Sequence, residues 1–197
     1  TGQIFKTDGI SQDLVIVQQS PRLQTMASFN NESFTSKDRQ VIADTKPTYV
    51  YDRVFVRDIA RDDQRDNRGK LTYTLTAKLV DKADASRVVG EGTVTFNPSN
   101  PSQFEQTSVN PVLTFDNSDW AAVSGYVTVP IKVTGQVPES GQLVVFEDLT
   151  STQVNYKLQA TPGDQRVKTL GWHRDLNDAG QTLNLGEVPV PSTSTPP

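Results

Sequence analysis

From Lys70 to Asp81 the sequence alternates strictly. Leu71, Tyr73, Leu75, Ala77 and Leu79 fall on one side of an extended chain, and Thr72, Thr74, Thr76 and Lys78 on the other. An amphipathic helix would repeat its apolar residues every three or four positions, so this period of two specifies a half-buried antiparallel strand. The pattern recurs in Val109, Pro111, Leu113 and Phe115, in Val127, Val129, Ile131 and Val133, and in Val154, Tyr156, Leu158 and Ala160. Pro130 interrupts the third run on its non-core face. With no N–H to give to a ladder, it predicts an edge or a bulge there.

Less regular strand candidates are 13–18, 49–59, 87–96 and 142–146. In 49–59 large apolar side chains occupy both faces, which predicts a strand buried on both sides or bulged. Gly90 and Gly92 share one face of 87–96 and predict a bulge or a close backbone approach. Turn-forming clusters separate the runs: Asn67-Arg68-Gly69, Asn97-Pro98-Ser99-Asn100-Pro101, Asp116 to Asp119, Pro138 to Gly141, and Thr161 to Asp164. Some eight to ten strands with turn-rich connections give an all-β fold. The expected architecture is a single antiparallel β-sandwich of jelly-roll type, with a closed β-barrel as the alternative.

The ends differ from this body. Residues 1–46 read as an arm or loop with one strand, 47–170 as the β-sandwich body, and 171–197 as a loop and an extended tail. Segment 18–31 is polar and weakly patterned, like a loop packed over a sheet. Four prolines among serines and threonines in 187–197 offer no period for a helix or strand, so the tail reads as an extension available to bind a neighbour. No apolar run approaches the roughly 18–20 residues of a membrane span. The start of the chain has no secretory-signal pattern, and a threonine there fits either loss of an initiator methionine or a processed precursor.

The chain has no cysteine, which excludes disulfides, thiolate catalysis and cysteine-ligated metals. Net charge is −4 and no basic stripe is present, so direct nucleic-acid binding is not expected. No cofactor or metal is called for. The one histidine, His173, can be drawn into a triad with Asp175 and a serine, but no G-x-S-x-G elbow exists, and a partly packed histidine beside Trp172 is the simpler reading. Asp175, Asn177 and Gly180 match three positions of a calcium loop, yet Ala179 and Gly186 break it at two ligands, leaving a polar turn. Asp116 and Asp119 likewise read as a turn. Glu91, Glu105, Glu139, Glu147 and Asp148 are candidates for a pair of catalytic carboxylates, and nothing selects two of them. Asn31-Glu32-Ser33 is a glycosylation sequon, meaningful only in a secreted chain.

The densest charge run carries Arg53, Arg57, Arg61 and Arg65 at intervals of four, with Asp58, Asp62 and Asp66 in step. It reads as a solvated loop or helical turn, or as an ionic interface in which arginine forks meet carboxylates on another subunit. Trp120 is an interface anchor, a sugar-stacking platform or a cap on the core. Together with Pro189, Pro191 and Pro196, these residues define the expected interface. The functional expectation is a structural, non-enzymatic subunit of a virion (capsid, cement or tail), contacting copies of itself or other subunits, in a virion or cytoplasmic assembly and without a membrane partner. A carbohydrate- or ligand-binding module is the second reading and a small β-barrel enzyme the third.

Overall fold

A computed structural model describes residues 22–41, 46–61, 72–115, 118–138, 141–151 and 168–186. Their strands are β1 (Arg22–Ser28), β2 (Tyr49–Ala60), β3 (Tyr73–Asp81), β4 (Asp84–Phe96), β5 (Glu105–Phe115), β6 (Ser118–Val133), β7 (Gly141–Ser151), β8 (Lys168–His173) and β9 (Thr182–Leu185). Two short 3-10 turns, Lys37–Arg39 and Ala179–Gln181, complete the described elements. The fold is all-β, as the alternation requires. The expected strands at 13–18 and 154–160 lie outside the described residues.

All nine strands join one antiparallel sheet in the order β1-β2-β6-β4-β3-β7-β8, with β5 added to β6 and β9 to β7. The sheet curls until β1 lies alongside β8, β9 and the 179–181 turn, so it is nearly closed into a barrel. Inside is one apolar core. Val50, Val54 and Val56 of β2, Leu75, Ala77 and Leu79 of β3, Val127, Val129 and Ile131 of β6, and Leu143, Val145 and Leu149 of β7 are all buried in it. Tyr73 stacks on Phe96, and Phe96 on Phe104, each at 5.7 Å between ring centroids, closing one end.

The irregularities anticipated from sequence have specific causes. Strand β2 is bulged between Val56 and Ile59. The extra residue, Asp58, has φ of 59° and donates its N–H to Ser124 Oγ at 3.0 Å. The bulge shifts the alternation by one, which lets both Val56 and Ile59 face the core. Strand β6 pairs with β5 only as far as Tyr126 and with β4 only from Lys132. Pro130 falls in that gap and its carbonyl faces β4, so its missing N–H leaves no ladder bond broken. A Cβ on Gly92 would sit 2.1 Å from that carbonyl oxygen, which explains the glycine. Segment 18–31, expected as a loop, contains β1: Thr25 and Ala27 face inward while Arg22, Gln24 and Met26 face out.

Candidate functional site

Four of the polar side chains buried in this barrel stand apart from the rest. Thr25 is inward on β1. Asp52 takes an inward position between Val50 and Val54 on β2, Glu147 lies between Val145 and Leu149 on β7, and Gln181 ends the turn leading into β9. Thr25 is 7% exposed and the other three are 0% exposed. Among the described residues, the buried side-chain atoms without a hydrogen-bond partner are Thr25 Oγ1, Asp52 Oδ2, both carboxyl oxygens of Glu147, and Gln181 Oε1. Each such atom costs about 1–3 kcal/mol, so natural cores avoid them. A set confined to four residues of one core is a site.

The backbone brings them together. In the β1–β2 register Ala27 faces Asp52 and Thr25 faces Val54, so Thr25 is one diagonal step from Asp52 on the same inner face. Gln181 Nε2 approaches Asp52 Oδ1 at 3.4 Å, across 129 residues of sequence. The turn holding Gln181 packs on β1: a Cβ on Gly180 would lie 3.4 Å from the Thr25 carbonyl oxygen. His173 pairs with Glu147 across β7 and β8, which puts the imidazole on the same inner face. Its Nε2 lies 2.6 Å from Asp178 Oδ2. The other oxygen of Asp178 accepts the Gly180 N–H at 2.8 Å, capping the turn that carries Gln181.

Burial controls the two carboxyl groups. Loss of water raises Asp52 to about 6, against smaller lowering influences from Glu147 and His173. Glu147 is pushed well above the ordinary carboxylate range by burial first and by the neighbouring Asp52 charge second. Burial acts harder on Glu147 than on Asp52, so Asp52 is the member of the pair that ionises first and is the base. A hydroxyl, a carboxamide and a pair of carboxyls of unequal acidity form the equipment for acyl transfer in a site closed to water.

Most residues singled out from sequence lie elsewhere. Arg53 and Arg57 are on the outer face of β2, a strand rather than a helix, so their spacing of four does not stack them. The Arg53 guanidinium pairs with Glu105 at 3.2 Å and lies 4.2 Å from the Tyr126 ring centroid, and Arg57 lies 5.7 Å from the Phe55 ring. Asp58 is the bulge residue, and Arg61 follows β2. Asp62, Arg65, Asp66, Pro189, Pro191 and Pro196 fall outside the described residues. Trp120 is in β6 opposite Leu113, and its side chain is outside the description. His173 pairs with Asp178 rather than Asp175. Asp175 Oδ1 is engaged by the Asn177 N–H at 2.9 Å, which makes 175–178 the polar turn expected in place of a calcium loop. Of the five acids considered as a catalytic pair, Glu147 is in the site, and its partner is Asp52.

Thr25, Asp52 and Gln181 were missed. The available signal was a carboxylate in the apolar alternation, as in Val50-x-Asp52-x-Val54 and Val145-x-Glu147-x-Leu149. A strand does not bury a charge on its core face without a reason.

No curated protein matches the chain. A solved structure of a bacterial adhesin from Mobiluncus mulieris, described as containing intramolecular disulfide, isopeptide and ester bond cross-links, is similar with a TM-score of 0.47 and 14% identity. The match covers 86% of this chain and 58% of that one, so the chain spans under two thirds of its length. The family model described as "T-Q ester bond containing domain" matches residues 21–185, a span that starts just before β1 and ends with β9. This match overturns the expected virion subunit, whether capsid, cement or tail, and with it the virion or cytoplasmic location. That expectation rested on the irregular ends, the proline tail, the charge run and the lack of reactive residues, whereas the matched family is described by a T-Q ester bond, and this barrel buries a threonine and a glutamine, Thr25 and Gln181. The chain belongs to the family of T-Q ester bond containing domains.

Proposed function

We propose that the domain forms an ester between its own Thr25 and Gln181 and serves as a covalently locked structural module of a larger surface protein of the adhesin kind. The observation that carries this reading is the convergence of the partnerless buried polar atoms on one threonine, one glutamine and two carboxyls. Ionised Asp52 takes the Thr25 hydroxyl proton as Oγ1 attacks Gln181 Cδ. The resulting tetrahedral oxyanion collapses and the Cδ–Nε2 bond breaks. Asp52, now protonated and hydrogen-bonded to Nε2, passes that proton to the leaving nitrogen. The balance is threonine hydroxyl plus glutamine carboxamide giving ester plus ammonia. Asp52 returns to its starting state. The chain acts once, on itself, without turnover.

The bond needs no oxidant, which suits a chain with no cysteine for disulfides. A surface address follows from the reading as a proposal, since covalent locking is most useful to a chain exposed to force and proteases. Intact-mass spectrometry tests the chemistry. The purified wild-type chain should weigh about 17 Da less than its sequence, the mass of one ammonia, and the Thr25→Val chain should match its sequence. A wild-type mass equal to the sequence mass would sink the reading.

A further inference from the structure

Among the described residues, β1 has a hydrogen-bonded ladder with β2 alone, so no ladder joins the strand bearing Thr25 to the strand that follows Gln181. A strap made by residues 28–41 crosses that seam. At its start the Phe29 N–H donates to the Asp38 carbonyl at 2.9 Å, Ser28 Oγ donates to the Ser33 carbonyl at 2.7 Å, and Asn30 N–H donates to Ser28 Oγ at 2.8 Å. At its end Gln40 bridges Asn184 of β9 in parallel, and the Val41 N–H donates to the Asn184 carbonyl at 3.1 Å. Between these anchors one carboxylate organises the strap: Asp38 Oδ2 accepts from Ser33 Oγ, Thr35 Oγ1 and the Thr35 N–H. These bonds, led by that from Ser33, hold Asp38 down at about 2, so it stays ionised at any ordinary pH.

From this arrangement we infer that the strap is a positioning device for ester formation, with Asp38 its key residue: it ties β1 to β9 and holds Thr25 in reach of Gln181 until the covalent bond does so. The inference rests on the ester reading above. Asp38 touches none of the reacting atoms and acts only through the strands it joins. Its importance is confined to the time before the bond forms.

The test is a time course of the full chain made by cell-free synthesis, quenched in acid at intervals and read by intact mass. Asp38→Asn should convert to the lighter form about 10- to 100-fold more slowly, the cost of a misplacement on the order of 1 Å. Val41→Pro, which removes the N–H given to Asn184, should slow it likewise; Gln40 is already extended, as a residue before proline must be. The double variant should be no slower than the slower single one, because both changes cut the same tie. A general loss of stability would instead add. Circular dichroism of each variant in a Gln181→Ala background verifies the fold independently of the bond. Wild-type conversion with unchanged rates in folded variants, or additive slowing, overturns the strap inference alone. A wild-type chain that never loses ammonia overturns the ester reading itself.

Discussion

Replacing Thr25 with valine keeps the shape of a β-branched side chain and removes the nucleophile. The ester would close a loop of about 156 residues between Thr25 and Gln181, and chain-entropy arguments give such a closure a stabilisation of about 5 kcal/mol. In the cross-linked wild type Thr25 Oγ1 is the ester oxygen, so valine removes no free hydroxyl and the loss stays at about 5 kcal/mol. For a chain of this size each kcal/mol moves the melting temperature by about 2–4 °C, so Thr25→Val should melt about 10–20 °C below the wild type. Differential scanning calorimetry at neutral pH, on wild-type protein whose mass has been verified, reads the difference. Melting points within about 2 °C of each other would refute the claim that a long-range covalent bond stabilises this fold.

Other outcomes follow from the same geometry. Asp52→Asn should fold and keep its full mass, since the amide is an uncharged isostere that cannot take the Thr25 proton; conversion at the wild-type rate would remove Asp52 from the mechanism. In the wild type, ester formation should slow by about tenfold for each pH unit below about 6, as Asp52 becomes protonated, in a timed mass assay. Stability should run the other way in the bond-less Thr25→Val chain. Its folded state binds a proton at Asp52 up to about pH 6 while the unfolded state releases it near the ordinary aspartate value of 3.8, so urea midpoints should fall as pH rises between those values. Gly92→Ala should cost about 3 kcal/mol by urea denaturation, because the added methyl would sit 2.1 Å from the backbone carbonyl oxygen of Pro130 and force the two strands apart.

The strands were legible in the sequence wherever one face is buried and the other wet, as from Tyr73 to Asp81. The bulge at Asp58 and the crowding at Gly92 were legible too, because a shifted alternation and paired glycines have few other causes. Strand β1 was not: Leu23, Thr25 and Ala27 make a weak inner face, since the strand gives its central inward position to a threonine instead of a large apolar side chain. The site was hidden for the same reason. Asp52 and Glu147 are 95 residues apart, and only the order β2-β6-β4-β3-β7 and the curl of the sheet bring them face to face. The charge run from Arg53 to Asp66 drew attention because it is dense, but Arg53 and Arg57 lie against aromatic rings on the outer face. On the ester reading it is the isolated polar residue, surrounded by valines and leucines, that carries chemistry.

The central claim is a bond between two named side chains, and peptide mapping addresses it directly. Trypsin cuts after Arg22, Lys37 and Arg174, so an ester between Thr25 and Gln181 joins peptide 23–37 to peptide 175–197 as one branched species. That species is expected in the wild-type digest, lighter by one ammonia than its two parts together, with fragmentation placing the branch at Thr25 and Gln181. Recovery of the two peptides as separate, unmodified species from folded wild-type protein would contradict it.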